Sequence, residues 1–358
     1  MIYILFILSI FCAGAFYKLL FRGRHQQAVA DRYFVCTVMF VAWLIMSLRD
    51  ITVGVDTAMY CTFFNRYESA PISKIFTTVI IEPGWASSAW LINYIGGNFV
   101  LFQMVFYGIF CYLCANFIIL GNGMLRRDST FIITVVLLAG CWLLSFNIAR
   151  QMIAVMFILN AWLYFCQHKR KKAAALFILA LSFHYSSILA LALIILWKMR
   201  NVRHFGFITM ASLAACYFLF GTIMSIAGQM GVYVNYINNA FNNFQEANMV
   251  KIIWTIIAFH AVWIFIKSKK FTPFDKVVAA YSLIYVFTNI MASQINYFER
   301  LGLFFMPFVA LLYPIVGNSF KSRQLRYIYF TGIAVCYSIW FILGSRSPQY
   351  AYSISSLL

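Results

Sequence analysis

Apolar runs of about 16 to 25 residues recur from one end of the chain to the other, and a helix of that length reaches across the apolar slab of a bilayer, about 30 Å. Polar and basic clusters separate them. The pattern predicts spans over roughly 2–20, 33–48, 98–120, 130–146, 148–166, 205–227, 251–266, 277–295, 301–316 and 327–343. Two stretches fit less easily. Residues 82–97 are short and open on Pro83-Gly84, and residues 173–197 carry His184, Ser186 and Ser187 at their centre. Both are expected to enter and leave on one side as re-entrant or broken helices, because irregular backbone survives at membrane depth only where it lines a cavity. The expected fold is an all-α polytopic integral membrane protein with about ten full transmembrane helices and two re-entrant or broken ones. It forms a single transmembrane domain over 1–358, with outer loops at about 49–81 and 228–250 and no internal repeat.

Composition narrows the class. Of 358 residues, 64% are hydrophobic and 10% charged, against about a quarter charged in a soluble domain, so a water-soluble core is excluded. The formal charge of +18 would suit nucleic acid in a soluble protein. In a membrane protein the placement of Lys and Arg reports orientation first, and no nucleic-acid partner is expected. Basic clusters at Arg22, Arg24 and Arg32, at Arg126 and Arg127, at 169–172, at Lys198, Arg200 and Arg203, at 267–276 and at 321–326 are all expected on the cytoplasmic side. That threading holds only if both awkward stretches return to the side they came from. It leaves Arg49, Arg66, Lys74, Arg150, Lys251, Arg300 and Arg346 near the outer face, together with Asp50, Asp56, Glu68, Glu82, Glu246 and Glu299.

The cysteines lie mostly inside apolar runs, and Cys111 and Cys114, one helical turn apart, lack a second pair or a His cluster. Packing rather than metal is expected of them. The run from Ile2 to Leu20 is longer than a signal-peptide core and lacks a small-residue cleavage site, so it is expected to stay as the first span. In the 228–250 loop, Asn235, Asn238, Asn239, Asn242 and Asn243 alternate with Tyr233, Tyr236, Phe241 and Phe244. Such a surface suits sugar rings, although a plain solvated loop has the same composition.

Ionisable groups at membrane helix ends are costly, and they face a cavity, pair with each other or bind substrate. Arg49-Asp50 closes the second span and leads into Val53-Gly54-Val55-Asp56-Thr57 and Tyr60, which reads either as a capped helix end or as a turn folding two carboxylates over a pore. Glu82 precedes Pro83, where a carboxylate serves helix capping as readily as catalysis. Arg150-Gln151 begins a span otherwise free of charge up to Gln167, so the guanidinium needs a carboxylate, a carbonyl or a ligand anion, and its fork matches phosphate oxygens. His184 is followed by Tyr185, Ser186 and Ser187, which could orient the ring, whereas His260 stands mid-span without polar neighbours. Tyr297-Phe298-Glu299-Arg300 offers a phenol, an acid and a cation at the outer end of another span.

Taken in order, Arg49-Asp50 with Val53-Gly54-Val55-Asp56-Thr57 and Tyr60, Glu82-Pro83-Gly84, Asn147 to Ala154 around Arg150-Gln151, His184-Tyr185-Ser186-Ser187, and Tyr297-Phe298-Glu299-Arg300 resemble the EpsG-type, Wzy-like polysaccharide polymerase family. The resemblance covers most of the chain and departs from it at Ile188, where the family often has a small residue. It implies a multi-pass enzyme of the bacterial cytoplasmic (inner) membrane in O-antigen, capsule or exopolysaccharide synthesis. Such an enzyme joins undecaprenyl-diphosphate-linked oligosaccharide repeats by glycosyl transfer on the outer face, without a nucleotide sugar. The lipid-linked oligosaccharide and the bilayer are the expected partners; a chain-length regulator and a flippase follow from the family alone. No cofactor or metal is required. Among the residues, His184 is the first choice of general base, ahead of Glu299 and Asp56, because imidazole titrates near neutrality. Arg150 and Arg300, with Arg49 second, are expected on the diphosphate, and Asp50, Glu82, Gln151 and Tyr297 on substrate. A transporter of the lipid-linked repeat, or a membrane glycan acyltransferase, would use similar residues.

Overall fold

The computed structural model describes residues 1–21, 26–79, 81–125, 129–229, 248–292 and 298–355. In chain order the helices are α1 (Ile2–Leu20), α2 (Gln27–Ser47), α3 (Thr57–Asn65), α4 (Ile75–Thr78), α5 (Pro83–Tyr94), α6 (Phe99–Leu125), α7 (Thr130–Cys141), α8 (Leu144–Asn147), α9 (Ala149–Cys166), α10 (Arg170–Phe183) and α11 (Leu191–Met199). They continue with α12 (Phe205–Gln229), α13 (Asn248–Ile266), α14 (Pro273–Ala292), α15 (Phe298–Gly302), α16 (Val309–Gly317) and α17 (Arg323–Ser345). Five of them, α1, α2, α6, α9 and α17, are long and apolar enough to cross a bilayer, and several shorter apolar helices accompany them. The chain is an all-α polytopic membrane protein. Among the described residues, extended backbone pairs at one isolated antiparallel bridge, Arg49 with Ile354.

The chain divides into two compact units, 1–188 with 328–358, and 189–327. In the first, α2 and α9 pack on α6, α10 packs on α9, and α1 packs on α2. The buried residues of α1, Tyr3, Phe6, Ile7 and Ile10, follow the i, i+3, i+4, i+7 stripe of a helix with one packed face. In contrast, α9 is buried on all sides from Gln151 to Leu163, as a central helix must be. Its polar member Asn160 accepts from Asn116 Nδ2 (2.6 Å) and donates to the carbonyls of Leu113 (2.9 Å) and Met156 (2.8 Å), stitching α9 to α6. Cys111 and Cys114 are buried in α6.

In the second unit α14 packs on α12, α13, α15 and α16. A reciprocal capping box starts it: Thr272 N–H donates to Asp275 Oδ2 (2.8 Å) and Asp275 N–H to Thr272 Oγ1 (3.2 Å). The apolar run 301–316 is not one helix. It breaks between Gly302 and Met306, then continues as a 3₁₀ turn over Met306–Phe308 and α16. Pro307 disfavours helical backbone in the residue before it, which accounts for the interruption. The segment 49–81, expected as a loop, carries the nine-residue α3 and the short α4; most of the 228–250 loop lies outside the described residues.

Candidate functional site

At 12 residues, about 18 Å of rise, α5 is too short to cross a bilayer. Pro83 occupies its first turn and Glu82 its N-cap, yet the Glu82 carboxylate makes no capping bond. It is directed at α10 and α9 instead. The approach of α5 to α10 depends on Gly84, where an added Cβ would stand 2.6 Å from Ser182 Oγ and 2.8 Å from Ser182 O. Two residues beyond Ser182, α10 ends and His184 turns extended (φ −161°, ψ 117°). A 3₁₀ turn over Tyr185–Ala190 follows. The break expected at His184 is therefore present. The ring's partner is not one of the neighbouring serines: Ser187 Oγ donates to Ala180 O (3.2 Å), while His184 Nδ1 lies 2.8 Å from Glu82 Oε1.

The other carboxylate oxygen of Glu82 accepts a hydrogen bond from Arg150 Nη1. One carboxylate, 7% exposed, thus holds an imidazole and a guanidinium side by side, and both of these are half-buried, with side chains 22% and 23% exposed. Burial works to raise the Glu82 carboxyl, but the His184 hydrogen bond and the Arg150 charge outweigh it and hold it below its ordinary value. A carboxylate on Nδ1 puts the Nδ1–H tautomer in place and leaves Nε2 as the open nitrogen. Arg150 Nε is buried and makes no hydrogen bond with the described residues. Its guanidinium stands over the Tyr60 ring at 5.7 Å. Burial pushes the Tyr60 phenol up to about 12, against the pull of Arg150.

Arg49 has a different setting. It is fully buried, and its guanidinium donates to the carbonyls of Val53 (3.2 Å), Met46 (3.1 Å) and Phe146 (3.4 Å) and to the hydroxyls of Thr57 (3.3 Å) and Tyr107 (2.6 Å). The rings of Tyr107 and Phe146 cover it at 4.6 and 4.3 Å. The turn below it needs Gly54, whose φ of +95° is left-handed and whose Cβ position is 2.7 Å from Phe146 O. The C-terminal segment straps this turn: Asp50 N–H donates to Ser353 O (2.9 Å), Gly54 N–H to Gln349 O (2.7 Å) and Ser355 N–H to Leu48 O (2.9 Å). Asn147 joins the two settings, accepting from Val55 N–H (2.8 Å) and donating to Tyr350 Oη (3.0 Å).

The structure brings Glu82, Arg150 and His184 together, with Tyr60 beside Arg150. Asp50 accepts from Thr52 N–H (3.1 Å) and Thr52 Oγ1 (2.9 Å). Asp56 is the N-cap residue of α3 without a capping bond, and Gln151 is buried at the start of α9. Glu299 and Arg300 belong to α15 in the second unit, where burial raises the Glu299 carboxyl and Arg300 lowers it. Tyr297 lies outside the described residues. Sequence reasoning gave no role to Tyr60, Asn147 or Tyr350. For Tyr60 and Asn147 a signal exists, since both stand in the motifs that carry the family resemblance; for Tyr350 none does.

The EpsG family model matches residues 32–354, from α2 through the strap. The chain belongs to the EpsG family. EpsG proteins are a Wzy-like family of polysaccharide polymerases, so the coarse function of this EpsG chain is that of a multi-pass membrane protein in polysaccharide polymerisation. No curated protein and no solved structure matches the chain.

Proposed function

We propose that this EpsG protein joins undecaprenyl-diphosphate-linked oligosaccharide repeats on the outer face of the bacterial cytoplasmic membrane, with His184 as general base and Arg150 on the diphosphate. The observation that carries the reading is the single Glu82 carboxylate gripping His184 and Arg150 together. Glycosyl transfer from a lipid diphosphate needs a base beside a cation. The acceptor hydroxyl loses its proton to His184 Nε2, and its oxygen bonds to the donor sugar's anomeric carbon. The bond from that carbon to the diphosphate oxygen breaks, and its electron pair leaves with the lipid diphosphate.

Glu82 holds the ring in the required tautomer and stabilises the imidazolium as it forms, in the manner of a carboxylate behind a catalytic histidine. Arg150 meets the charge growing on the leaving group, where a preorganised cation has most effect. The Glu82 carboxylate and the Tyr60 face hold the guanidinium in place. Asp50, Asp56 and Gln151 are offered as acceptor contacts. Glu299, Arg300 and Tyr297 enter on the motif resemblance alone, and Arg49 is read here as support for the turn. The test is reconstitution of purified protein with a lipid-linked repeat, followed by product ladders for wild type, His184→Ala and Arg150→Ala. Ladders lost in both variants support the reading. Repeat moved across the bilayer without any ladder from wild type would replace it with transport.

A further inference from the structure

We propose that Asn147 is a positioning residue for Arg150, and that the C-terminal strap acts on the site through it. The proposal rests on the reading of Arg150 as a substrate-binding cation. Asn147 stands three residues before Arg150, at the junction of α8 and α9, and three different segments converge on it. Its Oδ1 accepts from Val55 N–H (2.8 Å), its Nδ2 donates to Tyr350 Oη (3.0 Å), and its carbonyl accepts from Tyr60 Oη (3.4 Å). The first ties it to the turn of Gly54, the second to the strap, and the third to the phenol whose ring faces Arg150.

Tyr350 is itself held. Its carbonyl accepts from Tyr3 Oη (2.8 Å), its ring meets Phe146 edge-on at 6.2 Å, and it is 5% exposed. Beyond it, Tyr352 Oη donates to Ile45 O (3.1 Å). The strap is anchored on α1 and α2, and the amide of Asn147 connects that anchored segment to the first turn of α9. Ile148, between them, has φ −102° and ψ 47°, outside the helical region. Packing on α6 and α10 sets the axis of α9, while its first turn, and hence where Arg150 meets Glu82, is held by the side-chain amide rather than by continuous helix.

The test uses full-length protein in proteoliposomes, with initial rates taken across a range of lipid-linked repeat concentrations. Asn147→Leu removes the amide at similar size, and Tyr350→Phe removes one hydroxyl while keeping the ring on Phe146. Each is expected to lower kcat roughly 5- to 20-fold, with KM within about twofold, because transition-state alignment is lost rather than ground-state binding. Asn147→Asp keeps an acceptor for both Val55 N–H and Tyr350 O–H and is expected to recover most of kcat. The Asn147→Leu, Tyr350→Phe double variant is expected to be no slower than Asn147→Leu alone, since both act through one bond. Wild-type kcat in Tyr350→Phe and Asn147→Leu, with Arg150→Ala inactive, overturns this proposal alone. Wild-type kcat in Arg150→Ala overturns the site reading and this proposal with it. Should Asn147→Leu fail to fold, Tyr350→Phe decides.

Discussion

Arg49 and Arg150 are both arginines at the outer-face helix ends expected from sequence, about a hundred positions apart, and the protein treats them in opposite ways. Arg49 is saturated: three carbonyls, two hydroxyls and two ring faces enclose a guanidinium with no exposed surface. Arg150 keeps about a quarter of its side chain exposed and shares a single carboxylate with a histidine, and its Nε makes no hydrogen bond with the described residues. A fully buried cation with every nitrogen engaged can hold a turn together but offers no surface to a ligand. One that stays partly exposed beside a potential base can do chemistry. Burial and hydrogen-bond saturation separate the two, although residue type and sequence context do not.

The sharpest way to break this contrast is to remove the open pair. Arg150→Ala and His184→Ala are each expected to lower the polymerisation rate by about 10²- to 10⁴-fold, measured as ladder formation in proteoliposomes, while the melting temperature falls only by the share of Glu82 pairing that is lost and the chain stays folded. A melting temperature that collapses in either variant would make Arg150 or His184 as structural as Arg49.

Conservative swaps sharpen it further. Arg49→Lys supplies three donors on a flexible stem where a planar fork served five acceptors, and each buried carbonyl left unpaired costs about 1–3 kcal/mol. A loss of a few kcal/mol in thermal stability is expected, with residual activity per folded molecule retained. Arg150→Lys is expected to show the reverse, normal melting with reduced kcat. The contrast fails if both Lys variants lose stability equally.

A smaller effect is expected at Gly84. Ala there drives a methyl into the Ser182 backbone, so α5 must shift from α10 and lengthen the Glu82 to His184 contact. Roughly a tenfold loss of kcat follows if that contact matters as argued, and unchanged kcat would detach Glu82 from catalysis. The smallest concerns pH. A carboxyl held below its ordinary value in the folded state contributes stability that is complete above its unfolded value, about 4.3, and lost as pH falls through the lower folded value. Melting temperature should therefore decline in acid below about pH 4.3, and Glu82→Gln should decline less steeply. Parallel acid profiles would show that Glu82 contributes nothing to this limb.

Much of the fold was legible because apolar length is a strong signal. α1, α2, α6, α9 and α17 match expected spans within several residues, and His184 marks a real break because an extended residue there interrupts α10. The break in 301–316 was hidden by a uniformly apolar run, even though Pro307 was visible. Within the site, Arg150 announced itself as a charge without a local partner. The enclosure of Arg49 could not be read, because its acceptors are main-chain carbonyls and ring faces, one of them 97 positions away. The choice of Glu82 between capping α5 and bridging to His184 was equally hidden, since it depends on how closely Gly84 lets two helices approach.

The strap has a consequence for biosynthesis. Asp50 and Gly54 take their backbone partners from Ser353 and Gln349, so this turn is complete only when sequence about 300 residues downstream has been made, roughly 15–60 s later at ordinary translation speeds. Glu82, Arg150 and His184 are all made within that interval, well ahead of the strap, so the site residues exist before the turn beside them has its hydrogen-bond acceptors. A ribosome stalled before residue 349 is therefore expected to leave a membrane-inserted chain whose 50–54 turn lacks these partners and is open to proteolysis.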